Sequence, residues 1–233
     1  MTRYSLAQLA NLIDHTNLHP EATGEEITAL CQEARHYGFK MVAINQVQTA
    51  LCHQLLKETP VHVGAAISFP LGQTSIAAKV FETKDALSQG ADEIDYVVNL
   101  SKVKEHDWAY LEAEMQALVS LCHQQGALIK VIFENGYLTD EEKHTLCQIA
   151  KKVQPDFIKT ATGFGPSGAT LADVRLMKKA VGQKVQVKAA GGIRSAEAFK
   201  QFLAAGATRI GTSSGITILQ ELTAEANEGY VEI

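Results

Sequence analysis

The sequence predicts an α/β protein folded as a single (β/α)8 barrel, and three observations lead there. Apolar runs of strand length alternate with stretches of helical periodicity, the alternation repeats eight times in 233 residues, and no break in composition divides the chain. A doubly wound open sheet is the competing architecture. It favours a Gly-x-Gly-x-x-Gly turn after its first strand, and here that turn reads HTNLHPEATG. One domain is therefore expected over 1–233, with a mobile tail from about residue 223, where TAEANEGYVEI is acidic and small.

The elements follow in order. LIDHT (12–16) is the first strand candidate, and the helical segment EEITALCQEARHYG after it closes on Gly38, as a helix end should. MVAIN (41–45) and HVGAAISF (62–69) are the next two strands, followed by TSIAAKVFETKDALSQGA, whose helical pattern stops at the glycine of SQG. DEIDYVV (92–98), LIKVIFE (128–134), DFIKTAT (156–162), VQVKAAG (185–191) and TRIGTSS (208–214) complete the eight.

Alternate residues of a barrel strand point into the barrel, and the others face the helices and should be apolar. In KVQVKAAGG, Val185, Val187 and Ala189 fit the helix-facing set, which sends Lys188 inward. Ile158 faces out and sends Phe157 and Lys159 in. The same parity sends Lys130 and Glu134 in beside outward Ile129, Val131 and Phe133, and Asp95 in beside outward Ile94. Four ionisable groups, Asp95, Lys130, Lys159 and Lys188, thus converge on one interior. A buried salt-bridge network is the packing explanation, and it leaves a surplus of positive charge.

Adjacent strands lie about 4.8 Å apart, so Lys159 and Lys188 bring their amines within mutual influence. Like charge and desolvation both depress a lysine pKa. An ordinary lysine, of pKa ~10.4, is neutral in only about one molecule in 2,500 at pH 7, whereas a pKa of ~7 makes about half of it nucleophilic. Lys159 reads as a Schiff-base nucleophile, with Lys188 tuning it.

The turns after the last two strands suggest what binds. AAGGIRSAEAF places Gly191 and Gly192 where backbone amides can approach an anion and Ser195 where it can cap a helix; GTSSG repeats the idea with Ser213 and Ser214. In barrels these two loops often form a phosphate site. Thr162 and Gly163, at the end of the Lys159 strand, and Lys130 join them as substrate-binding candidates. A metal is not expected: His15 and His19 stand four apart, without a His-Glu-x-x-His motif or a second ligand cluster.

Composition excludes other classes. The 26 acidic residues exceed the 21 basic ones and no basic run stands out, so nucleic acid is not an expected partner. Cys31, Cys52, Cys122 and Cys147 are far apart and form no Cys-x-x-Cys pair, which points to a reducing compartment. The amino terminus lacks a signal-type apolar core, and no apolar run approaches membrane-spanning length. A cytoplasmic protein without a membrane partner is expected. The sequence admits a homo-oligomer without fixing its size.

The chain resembles the deoxyribose-phosphate aldolases, through LIDHTNLHP, ISFPLG, FETKDAL, GADEIDYVVN, KVIFENGYLTDEEK, DFIKTATGF, SGATLADV, VKAAGGIRS and RIGTSSG. The resemblance implies a class I barrel enzyme that needs no cofactor or metal and joins acetaldehyde to glyceraldehyde 3-phosphate. It implies that Lys159 forms the Schiff base, that Lys188 lowers its pKa or relays protons, that Asp95 donates or accepts the proton, and that Lys130 holds Asp95 ionised. It also implies a terminal tyrosine assisting proton transfer, here Tyr230, displaced by the three residues that follow it. Other departures are His19 where many relatives carry lysine, AINQ at 43–46 for a Cys-Val-Asn-Pro type stretch, and Asn135 where threonine is usual. Two rival readings use the same barrel: a phosphometabolite isomerase, which needs a carboxylate base and no imine, and a non-catalytic phosphate-ligand-binding barrel, which needs neither.

Overall fold

The computed structural model describes residues 2–233. In chain order it contains β1 (Arg3–Ser5), α1 (Leu6–Ala10), β2 (Ile13–Asn17), α2 (Gly24–Tyr37), β3 (Met41–Asn45), α3 (Thr49–Leu56), β4 (His62–Ile67) and α4 (Ile76–Ser88). Then come β5 (Glu93–Val97), α5 (Leu100–Lys104), α6 (Trp108–Gln124), β6 (Leu128–Ile132), α7 (Asp140–Val153), β7 (Phe157–Lys159) and α8 (Leu171–Val181). The last are β8 (Gln186–Ala190), α9 (Ala196–Ala204), β9 (Arg209–Thr212), α10 (Gly215–Glu225) and β10 (Tyr230–Glu232). Strands β2 to β9 close into a parallel barrel in sequence order, β9 pairing with β2. The eight runs read from the sequence are these eight strands.

Local chemistry sets the helix ends. Thr23 and Glu26 start α2, and Thr139 and Glu142 start α7, each pair forming a reciprocal capping box; Gly38 ends α2 in the left-handed region at φ 69°. The main core lies between strands and helices. Ile94, Ile129, Val131, Ile158 and Val187 are fully buried there against helix residues such as Leu118 and Val174, and each such side chain contributes roughly 1.5–3 kcal/mol. Lys79 of α4 and Glu114 of α6 are buried as a 2.6 Å ion pair beside β5. Lys79 Nζ donates to the Val97 carbonyl and Glu114 accepts from the Asn99 amide, which holds the carboxyl end of β5 between the two helices.

The tail departs from the free end expected of it. β10 pairs antiparallel with β1, Tyr230 opposite Ser5, and the Arg3 guanidinium lies 4.2 Å from the Tyr230 ring centroid. Composition suggested mobility because nothing local holds TAEANEGYVEI. Its partner is the other end of the chain, out of reach of any short-range pattern.

Candidate functional site

Strand register sets the heights of the charged groups. Asp95 is in register with Lys130, Lys159 with Lys188, and Lys188 with Arg209. All five point into the barrel, because the alternate positions are taken by apolar residues packed on the helices. Thr160 Oγ1 donates to the Ala190 carbonyl and accepts from the Ala190 amide, both at 3.0 Å, so a side chain continues the β7–β8 pairing just past Lys159.

Asp95 is the hub. Its Oδ2 accepts from Lys159 at 2.9 Å and from Lys188 at 2.7 Å, and its Oδ1 accepts from Lys130 at 2.7 Å. Burial alone would push the Asp95 carboxyl up, but the three ammonium groups outweigh it and hold it well below the usual carboxylate range. Burial, opposed by Asp95 and assisted by Lys188 and Lys130, brings the Lys159 amine down to about 8. At that value about one molecule in ten is neutral at pH 7, a gain of some two orders of magnitude in free amine over an ordinary lysine. Lys130 is also desolvated, yet Asp95 and Glu93 raise it further above its ordinary value. Two buried lysines on neighbouring strands therefore differ: one is locked as a cation and the other is poised to lose its proton.

Above Lys159 a cavity of about 240 Å³ opens at the carboxyl ends of the strands, lined by Thr16, Leu18, Thr162, Gly191, Arg194 and Ser213 among others. Gly163 and Gly192 also line it, at φ 93° and 79°, a backbone region that favours glycine. Gly191 has a further packing role: a Cβ on Gly168 would stand 2.3 Å from the Gly191 carbonyl, so the loops after β7 and β8 touch backbone to backbone. Glu134, itself left-handed at φ 56°, accepts from the Thr162 amide and hydroxyl and so anchors the first of these loops.

The candidates thus separate. Lys159, Thr162, Gly163, Gly191, Gly192 and Ser213 meet at the cavity, and the Lys159 and Lys188 amines both donate to Asp95 Oδ2. Lys130 is fully buried beneath and does not line the cavity; it touches Asp95 and Glu93. Ser214 turns its amide to Thr212 Oγ1 at 2.9 Å and is not in the lining. Tyr230 stands elsewhere: β1 and α1 precede β2, so the β1–β10 ribbon lies at the amino ends of the strands, away from the cavity. His19, one of the departures, lines the cavity, while Asn135 is buried with its amide against Met177 Sδ.

Sequence reasoning missed Asp14, Glu93 and Arg209, all buried inside the barrel, and Arg194 in the cavity wall. The same alternation would have found the first three: Asp14 sits between Ile13 and His15, Glu93 shares parity with Asp95, and Arg209 precedes outward-facing Ile210. Arg194 has no periodicity to announce it beyond being the one cation in GGIRS.

A family model described as DeoC/LacD family aldolase matches residues 8–221. The chain belongs to the DeoC/LacD family of aldolases. It is 53% identical over 230 residues to the deoxyribose-phosphate aldolase of Lactobacillus acidophilus, covering 99% of this chain and 97% of that one. The enzyme of the same name from Bacteroides thetaiotaomicron is 50% identical over 216 residues, covering 93% and 91%. Among solved structures, the tetrameric deoxyribose-phosphate aldolase of Aeropyrum pernix superposes with a TM-score of 0.88 at 32% identity, over 95% of this chain and 94% of that one. Family membership covers the whole barrel, including every charged strand position described above.

Proposed function

We propose that this protein is a class I aldolase that reversibly cleaves 2-deoxy-D-ribose 5-phosphate to acetaldehyde and D-glyceraldehyde 3-phosphate through an imine on Lys159. The observation that carries the reading is the Lys159 amine at the cavity floor, brought down to about 8 and hydrogen-bonded to a carboxylate that two other lysines share. Relatives about half identical over nearly the whole chain bear the name deoxyribose-phosphate aldolase.

Neutral Lys159 attacks the C1 aldehyde, and loss of water from the carbinolamine gives an iminium. Asp95, through a water molecule, takes the C3 hydroxyl proton; the C2–C3 bonding electrons move into the iminium, giving an enamine and releasing glyceraldehyde 3-phosphate. Protonation of the enamine at C2 and hydrolysis return acetaldehyde and the free amine. Gly163, Gly192 and Ser213, with Arg194 at the rim, are suited to hold the phosphate through backbone amides, a hydroxyl and a guanidinium. An isomerase needs no imine, and it leaves without a use the Lys159 amine brought down to about 8 at the cavity floor. Homo-oligomeric assembly, following the tetrameric Aeropyrum pernix relative, and a cytoplasmic location belong to the same proposal; no helix among the described residues is long and apolar enough to cross a membrane.

The test is chemical trapping. Acetaldehyde followed by borohydride is expected to leave an ethyl group on the peptide carrying Lys159. Label on Lys188 alone would reverse the two lysine roles, and absence of label would remove the imine.

A further inference from the structure

The ion pairs around Asp95 do not end at the cavity floor. Lys188 Nζ lies 2.7 Å from Asp95 Oδ2 and 2.6 Å from Asp14 Oδ2. Asp14 Oδ1 accepts from Arg209 Nη1 at 2.7 Å, and the same nitrogen reaches both Glu93 oxygens at 3.3 Å. Glu93 is paired with Lys130, which returns to Asp95 Oδ1 at 2.7 Å. Asp95, Lys188, Asp14, Arg209, Glu93 and Lys130 therefore form a closed ring of six buried side chains alternating in sign. The ring contains three carboxylates and three cations, and so neutralises itself. Lys159 attaches to it at a single point, Asp95 Oδ2, as a fourth cation; the further buried carboxylate, Glu134, is held by the Thr162 amide and hydroxyl and forms no ion pair with it.

We infer that Glu93 and Arg209 are positioning residues for the aldol reaction: by closing this neutral ring beneath the cavity, they leave Lys159 as the one cation at the cavity floor that stands outside it. The inference rests on the reading of Lys159 as the imine-forming lysine. It adds that amine reactivity is set by the charge count of the whole barrel interior, including side chains that touch no substrate. Charged groups near the ring are few. Asp95 faces Lys159 from β5, Lys130 and Glu134 from β6 and its end, and Lys188 from β8; Asp14 comes from β2 and Arg209 from β9. At the amino end His62 Nδ1 meets Glu93 at 2.7 Å and His62 Nε2 meets Lys40 Nζ at 3.1 Å, which links the ring to the outer surface. Phe157 fills the centre, with the Arg209 guanidinium 5.1 Å and the Lys130 amine 5.9 Å from its ring centroid, so water has little room to screen the charges.

The ring makes opposite predictions for two neighbouring residues. Glu93→Gln removes a negative charge, leaves a surplus cation, and makes Lys159 shed its proton at lower pH. Arg209→Met removes a positive charge and keeps Lys159 protonated to higher pH. Each shift is expected to be on the order of one pH unit, or about tenfold in reactivity below the midpoint. Acetaldehyde pulses at pH 5–10, each quenched with borohydride, report the rate of labelling of the Lys159 peptide as a function of pH. The midpoint should fall in Glu93→Gln, rise in Arg209→Met, return near wild type in the double variant, and stay near wild type in Arg209→Lys. Midpoints unmoved, or moved in the same direction by both single changes, overturn the inference even if all rates fall. If Glu93→Gln does not fold, the comparison of Arg209→Met with Arg209→Lys decides alone. Failure of wild-type Lys159 to label at any pH would strike the imine reading itself, which is a separate result.

Discussion

Replacing Lys159 by methionine is expected to abolish activity and stabilise the fold, with a pH dependence that identifies the cause. Burial lowers the Lys159 amine from its ordinary 10.5 to about 8. Below pH 8 the amine is protonated in both folded and unfolded chains, and the folded state then bears the full penalty, about 3 kcal/mol at about 1.4 kcal/mol per pH unit. Between 8 and 10.5 the unfolded chain binds more protons than the folded one, so wild-type stability rises with pH and the penalty fades. Methionine has similar length and no charge, and it leaves the six-membered ring neutral. Loss of the hydrogen bond to Asp95 offsets part of the gain, by about 1 kcal/mol or somewhat more for a charged pair. Urea unfolding at fixed protein concentration should therefore show the variant more stable than wild type by about 1–3 kcal/mol at pH 7. Its advantage should shrink by about 2 kcal/mol at pH 9.5. A variant less stable than wild type at pH 7, or a difference that does not change with pH, would refute the claim that the barrel interior disfavours this cation.

Two further outcomes follow from where side chains stand. Ser213→Asp puts a carboxylate in the cavity wall among Gly192 and Arg194, so KM for deoxyribose 5-phosphate should rise at least tenfold while activity on unphosphorylated deoxyribose changes much less; equal losses would make the loop structural. Tyr230→Phe should leave deuterium exchange into acetaldehyde at the wild-type rate, because the phenol lies on the β1–β10 ribbon at the amino ends of the strands; slowed exchange would mean that the tail leaves the ribbon to reach the cavity.

Apolar alternation along single strands was enough to locate the barrel and to aim Asp95, Lys130, Lys159 and Lys188 into it. That signal is strong because a strand buried on both faces can afford polar residues only where they meet other polar residues. The Gly191–Gly192 turn was likewise visible as a break after a strand, and the fold adds that Gly191 lies backbone to backbone against Gly168. What the sequence alone could not count was charge. Asp95 against three lysines reads as a positive surplus, and Asp14, Glu93 and Arg209, distant in the chain, convert it into a neutral ring with one cation over. The position of Tyr230 was equally out of reach, since its partner is Ser5 at the other end of the chain. Periodicity is a local property, read from a few residues at a time. Charge balance and terminal pairing join segments distant in the chain, which only the folded structure brings together: the first surrounds Lys159 with its partners and the second fixes where Tyr230 stands.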